Sequence, residues 1–416
     1  MKTIRRIYQY IAAASDRRQI AILMAVAAVL IAARLCMPLQ HEINPLTDAP
    51  SYIAAQDNVL NFDLDVFRTP GYPLLMWICG NDRICIILVQ FLAFWLSIPF
   101  FYKGLRYVCG KSILPFIGGA LYAWNLNMLS WAVTDMTEMI CVSLFSVMLC
   151  CLCGLLGSAQ RKTALAFAGA IVHFVLIMFK PIFLCVTPIW LLIILHFALN
   201  KNRKMLIVSV CATAVLALGV HCYCSAYKSK FGVYTLSAVG TYNQYFTYRY
   251  HYDFVENPRN MGEGSNCTAD SISIYGQESA KAIVGKELFF AKSQFIEMLF
   301  FAGHEGLFPA HIHPAADVPQ MLPRVFAVGF FEVHPNKVHI MMLAILIFCG
   351  IAYLRRRNDI LPIILAGIWF AWFFTIYSNT YYSMSRLIIP VFPVAVMAFT
   401  IAIRDLGKAI TIRWRD

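Results

Sequence analysis

The sequence predicts an all-α, polytopic integral membrane protein, and three observations carry that prediction. Hydrophobic residues fill 60% of the 416 positions and charged residues only 13%, with a mean hydropathy of +0.66, which is far too apolar and charge-poor for a soluble chain. The apolar residues gather into runs of about 17 to 22, each long enough to cross a ~30 Å hydrocarbon core. Lys and Arg collect between alternate runs, as cations retained on the cytoplasmic side do. Soluble enzymes and DNA-binding modules are thereby excluded, and the net charge of +12 reads as a topology signal with no nucleic-acid partner.

Taken in order, the apolar runs predict ten spans: residues 20–37, 84–102, 112–133, 139–157, 163–179, 182–199, 204–222, 338–354, 360–376 and 387–403. With a cytoplasmic N-terminus, the inside segments hold 20 of the 34 Lys and Arg residues against 4 of the 22 acids. The remainder then carries 14 cations and 18 acids, so the split supports both termini inside. Residues 1–19 form a basic cytoplasmic segment, and the first run reads as an uncleaved signal anchor because no small-residue cleavage site follows it. Residues 20–222 form a seven-span core, 223–337 a large outer region, 338–403 the last three spans and 404–416 a cytoplasmic tail. The expected location is a bacterial cytoplasmic (inner) membrane, with the functional site outside.

Of the two long outer segments, 38–83 is the more informative. It reads Asn44-Pro-Leu-Thr-Asp48-Ala-Pro-Ser-Tyr52, then Gln56, Asp57, Asp63, Asp65, Arg68 and Thr69-Pro70-Gly71-Tyr72-Pro73-Leu74-Leu75. Pro50 suits the first turn of a short helix carrying Tyr52 and Gln56. Asp48, just before it, suits either a helix cap or a catalytic carboxylate. Asp135 and Glu138 lie three apart, on one helix face if span four begins there; they read equally as acids that keep a helix end wet.

Asp48-x-x-x-Tyr52 beyond the first span, followed by the Pro70-Gly71-Tyr72-Pro73-Leu74 run, resembles the GT-C glycosyltransferases, specifically the protein mannosyltransferases and lipid A aminoarabinose transferases. The resemblance continues with Gly80 and Arg83 before span two, Thr137-Glu138 before span four, Lys180-Pro181 at an outer turn, and Arg386-Leu-Ile-Ile-Pro390-Val-Phe-Pro393 opening the last span. It covers roughly the first 200 residues and the C-terminal 35. It implies a GT-C-like membrane fold with short juxtamembrane helices in the first outer loop; the apolar runs themselves give ten helices, or twelve if 278–301 and 321–333 form a re-entrant pair. It also implies an enzyme that moves a sugar from a polyprenyl-phosphate donor to a lipid, glycan or protein acceptor among membrane lipids.

In that chemistry a carboxylate polarises the acceptor hydroxyl, for which the resemblance points to Asp48. Cations face the lipid phosphate as its charge grows, and Arg68, Lys180 and Arg386 are candidates. A second carboxylate steadies an oxocarbenium-like sugar, with Glu138 as the candidate and Asp135 beside it. Tyr52 and Tyr72 complete the candidate substrate-binding set. No metal-ligand pattern is present, and a divalent metal stays open as a cofactor. An O-antigen polymerase or ligase shares the large outer loop and the donor lipid, whereas a flippase or transporter would place charges in mid-span.

The remaining outer region is tyrosine-rich at 223–252, which fits an interfacial aromatic belt or a sugar-stacking surface. Residues 278–301 fit an amphipathic helix. His304, Glu305, His311 and His313 have metal-binding side-chain types without a recognised ligand spacing, and Asn266-Cys267-Thr268 matches the glycosylation pattern. Most cysteines fall within spans, where Cys acts as a small hydrophobe. Cys222, Cys224 and Cys267 form the outer-side cluster. About 13 residues follow the last span, where larger members of the resembled family carry a soluble domain.

Overall fold

The computed structural model describes residues 14–37, 39, 41–43, 48–239, 335–355, 359–379 and 389–413. Arg386, the amphipathic stretch 278–301, the histidines at 304, 311 and 313, and the Asn266 pattern all lie outside the described residues. The regular structure among the described residues is all helical, in line with the all-α membrane architecture read from the sequence. Among the described residues seven helical segments are long and apolar enough to cross a membrane, and three shorter apolar ones, Leu114–Ala123, Ala344–Leu354 and Leu361–Ile376, fall where further spans are expected.

The first membrane helix, α1 (Asp16–Leu35), is followed by three short helices of the outer loop: α2 (Ala49–Ala54), α3 (Gln56–Leu60) and α4 (Gly71–Ile78). Pro50 sits in the first turn of α2, as its fixed φ and missing N–H favour. Next comes α5 (Arg83–Cys109), started by the Asp82 carboxylate, which accepts from the Cys85 N–H at 2.6 Å. The expected span 112–133 is not one helix. It is divided into α6 (Leu114–Ala123) and α7 (Leu126–Trp131), and Asn125 caps the second by accepting from the Met128 N–H at 3.1 Å. Residues 132–137 are buried but non-helical.

The centre of the bundle is α8 (Glu138–Leu156), whose residues are almost all buried, with α5 and α9 (Lys162–Phe179) against it. Close approach of α5 and α8 needs a small residue, and a Cβ on Gly104 would lie 3.2 Å from the Cys150 Cα. The sixth span is also interrupted: a 3₁₀ turn at Pro181–Val186 precedes α10 (Ile189–Leu199), because Pro181 and Pro188 supply no backbone N–H. His173 accepts from the Trp190 indole at 3.0 Å, which leaves its other ring nitrogen to donate to the Phe183 carbonyl at 2.9 Å and fasten the interruption to α9.

The seventh span, α11 (Arg203–Phe231), has 29 residues and ends at Gly232, in the left-handed region at φ +78°. At 1.5 Å per residue it is about 43 Å long, more than the hydrocarbon core requires. The C-terminal helices are α12 (Pro335–Arg355), α13 (Leu361–Asn379) and α14 (Phe392–Arg413); α14 packs on α5, α6 and α8, while α12 and α13 join it from outside. The cysteines among the described residues are free thiols, and Cys141 and Cys153 of α8 are fully buried, packed like apolar side chains.

Candidate active site

The first outer loop folds down onto the ends of α5, α8 and α9. Ala49 and Tyr52 of α2, Tyr72 and Met76 of α4, Ile86 of α5 and Ile140 of α8 form a separate small core there. Gly71 seats α4 on the end of α9, since a Cβ at this position would meet the Met178 carbonyl oxygen at 2.8 Å. Gln56 and Asn81 exchange two amide hydrogen bonds, at 2.6 and 3.0 Å, and tie α3 to the chain after α4.

Arg68 organises the upper part of the site. Its Nη2 donates to Asp48 Oδ1 at 3.1 Å, Nε to Ser51 Oγ at 2.8 Å and Nη1 to the Tyr52 hydroxyl at 3.4 Å, with the guanidinium 4.4 Å from the centre of the Tyr52 ring. Asp65 positions the arginine by accepting from the Phe67 and Arg68 N–H groups at 2.8 and 2.7 Å. The Asp48 side chain makes no capping bond to α2, so the cap reading is replaced by an ion pair in which Asp48 keeps about a third of its side-chain exposure. The long end of α11 supports this loop: the Tyr227 hydroxyl donates to the Val66 carbonyl at 2.7 Å, and Lys230 pairs with Asp63 at 2.6 Å. Tyr227 is therefore a buried loop support and not part of an aromatic belt. The Lys230 ammonium holds the Asp63 carboxyl below its ordinary range.

Glu138 and Asp135 form the lower part. Lys180, at the C-terminal end of α9, donates to Glu138 Oε1 at 2.6 Å, and Glu138 is 1% exposed. Asp135 is fully buried, with Arg83 Nε 4.0 Å from its Oδ2. Neither acid is a wet boundary group. They do not share a helix face either, because α8 begins at Glu138 and Asp135 belongs to the irregular segment before it.

Irregular backbone at membrane depth must have its carbonyls satisfied from within the protein. Here Gln90 of α5 donates to the Thr134 carbonyl at 2.6 Å and the Ala132 carbonyl at 3.4 Å, while Arg83 Nη2 donates to the Val133 carbonyl at 3.3 Å. Gln90 is the functional support that the sequence reading passed over. Its signal was present, as a lone amide in the apolar run 84–102.

Tyr72 links the two parts. Its ring packs edge-on to Tyr52 with centroids 4.8 Å apart. Its buried hydroxyl makes no hydrogen bond among the described residues. Burial first, then the nearby Tyr52, Asp135 and Glu138, push the Tyr72 phenol well above its ordinary range, so it is a neutral donor at any physiological pH. The structure thus assembles Asp48, Tyr52, Arg68, Tyr72, Asp135, Glu138 and Lys180, three carboxylates against Arg68, Arg83 and Lys180. Among the described residues no three His, Cys, Asp or Glu side chains converge as a cation site.

No family model matches the chain, and no curated protein matches it. Among solved structures, the archaeal oligosaccharyltransferase AglB from Archaeoglobus fulgidus, in complex with an inhibitory peptide and a dolichol-phosphate, is similar at 13% identity and a TM-score of 0.50, over 95% of this chain and 51% of that one. An Archaeoglobus fulgidus oligosaccharyltransferase tethered with an acceptor peptide is also found, at 13% identity and a TM-score of 0.48, over 92% of this chain and 49% of that one. The chain spans about half the length of these proteins, and what it shares with AglB across almost its whole length is the fold, a bundle of membrane helices.

Proposed function

We propose that the chain is a membrane glycosyltransferase that moves a sugar from a polyprenyl-phosphate donor to a lipid, glycan or protein acceptor on the outer face of the cytoplasmic membrane. The observation that carries this reading is the convergence of Asp48, Asp135 and Glu138 with Arg68, Lys180 and Tyr72 under the first outer loop. The similar oligosaccharyltransferase is in complex with dolichol-phosphate, itself a polyprenyl phosphate, and this supports the same class of donor here.

Asp48 polarises the acceptor hydroxyl as it attacks the anomeric carbon, held in place by Arg68. Glu138 and Asp135 steady the positive charge that develops on the sugar ring. Tyr72 donates its unused O–H to a sugar hydroxyl or a phosphate oxygen. The three carboxylates and three cations of the described site balance, so a lipid phosphate needs a further positive charge. Arg386 is proposed for it, with Lys180 turning toward the same oxygens.

The test is direct transfer by the purified protein in lipid, using polyprenyl-phosphate sugars as donors, alongside mass spectra of lipid and glycoprotein fractions from cells with and without the gene. A missing glycan mass in the deletion, restored by the wild type but not by Asp48→Asn, is the expected result. Unchanged glycans together with no donor turnover would remove the reading.

A further inference from the structure

Cys79 and Cys85 meet across the corner between α4 and α5. Cys79 follows the last turn of α4, and its carbonyl accepts from the Asp82 N–H at 3.1 Å. Gly80 and Asn81 then take left-handed backbone, at φ +64° and +56°, and reverse the chain. Asp82 caps α5 through the Cys85 N–H, which sets Cys85 in the first turn of α5 beside the corner. Both side chains belong to the small core around Tyr52 and Tyr72, Cys79 within it and Cys85 packed against it.

We propose that Cys79 and Cys85 are a disulfide-forming pair that clamps the α4–α5 corner on the outer face of the membrane. The inference rests on the outward orientation of the first loop, because disulfides form and persist outside the cytoplasm. It does not depend on which sugar is transferred.

The chemistry assigns the two sulfurs different roles. Cys79 is 6% exposed, and burial together with the Cys85 thiol pushes its thiol up to about 12, whereas Cys85 is partly exposed. Cys85 is therefore the sulfur that first attacks a disulfide-bearing oxidant, a thiol–disulfide oxidoreductase or a small disulfide such as oxidised glutathione. That attack forms a mixed disulfide and expels one thiolate of the oxidant. Cys79 then loses its proton, attacks the Cys85 sulfur and expels the second thiolate. Two thiols are oxidised to one disulfide, the oxidant is reduced to two thiols, and the two protons end on its sulfurs. The bond joins the helix that carries Tyr72 to the helix that begins at Arg83, so it fixes two groups of the site relative to one another.

Arg83 lies between the two cysteines, so trypsin separates them into peptides 69–83 and 84–103. In protein taken from cells with thiols blocked at lysis, the expected result is a non-reduced digest in which these two peptides run as one linked species. It should be two hydrogens lighter than their sum and be lost on reduction. Cys85→Ser should abolish the species and expose Cys79 to alkylation after denaturation. Cys36, exposed at the end of α1, is labelled in the same intact cells with a membrane-impermeant maleimide. Alkylated Cys79 and Cys85 beside a labelled Cys36 overturn the disulfide while the outer placement stands. Alkylated cysteines beside an unlabelled Cys36 overturn it through the orientation. Transfer activity of the same wild-type sample, measured separately, keeps either result distinct from failure of the proposed function.

Discussion

At Asp48 one substitution separates two roles. Asn caps a helix about as well as Asp but takes no proton, and the Asp48 carboxylate makes no capping bond in any case. Its ion pair with Arg68 is a third exposed on the acid side, which limits its worth to roughly 0–1 kcal/mol. Asp48→Asn should therefore leave thermal unfolding nearly unchanged while transfer falls by about 10²-fold or more, as for a lost general base; activity within a few-fold of wild type would move the role to Glu138 or Asp135. Tyr72→Phe makes a complementary test. The hydroxyl is buried with no hydrogen-bond partner among the described residues, so its removal should be neutral or stabilising by a kcal/mol or so. If Tyr72 binds substrate, the variant unfolds at the same or a higher temperature yet has a raised KM for the donor, and an unchanged KM returns Tyr72 to a packing role. Glu138 and Lys180 differ from both, because their contact is almost fully buried. Lys180→Met takes the ammonium away from a buried carboxylate, for which about 3–5 kcal/mol of destabilisation is typical, whereas Glu138→Gln with Lys180→Met should recover much of that loss. Unfolding in detergent compares the single and double variants, and equal losses in the two would show that the pair is not coupled.

At the scale of elements, the legible parts were those with a period or a special residue. Apolar runs mark nearly all the membrane segments, Pro50 marks α2, and Asp48, Tyr52, Tyr72, Glu138 and Lys180 are legible as candidates, though their meeting is not. The segment 112–137 was not legible, because hydropathy records how apolar a residue is and not whether its backbone is helical. Ala132 and Val133 pass for the end of a membrane helix, yet residues 132–137 are buried, non-helical and tied to Gln90 and Arg83 of α5. The extra length of α11 was hidden likewise, since its polar end is a support for residues 63–66 and not a membrane span. Gln90→Leu tests the first point. Losing both donations strands buried carbonyls at about 1–3 kcal/mol, so the unfolding temperature should drop and transfer should fall as Asp135 shifts, while Asp48 chemistry, read from the pH profile, keeps its shape. A Gln90→Leu protein with unchanged stability and rate would show that α5 does not hold the irregular segment in place.

At the scale of the whole molecule, the order of the spans is checked by contacts that do not depend on charge. Lys230 and Tyr227 at the end of the seventh span bond to Leu64 and Val66 of the first outer loop, so the two must share one side of the membrane. On the opposite side Asp16 at the start of α1 pairs with Arg106 near the end of α5 at 3.0 Å, and Arg404 of α14 donates to the Val108 carbonyl at 2.9 Å. Both sets demand an odd number of crossings between residues 16 and 66 and an odd number between 66 and 108. Parity makes the crossings of 112–137 and 181–199 sum to an even number, and the contacts of Arg83 with Val133 and Asp135 and of Lys180 with Glu138, all on the side of the first loop, make each of them one crossing. We propose that the cation excess on the face of Arg106 and Arg404 marks the cytoplasmic side. Reporter fusions after residues 60, 270 and 380 should read outside, and fusions after 108, 202 and 357 inside. A reversal of all six would keep the fold and place the carboxylates of the site in the cytoplasm, where an outer-face acceptor is out of reach. A reversal at 202 alone would break the parity that joins α11 to the first loop, and with it the support that holds Arg68 over Asp48.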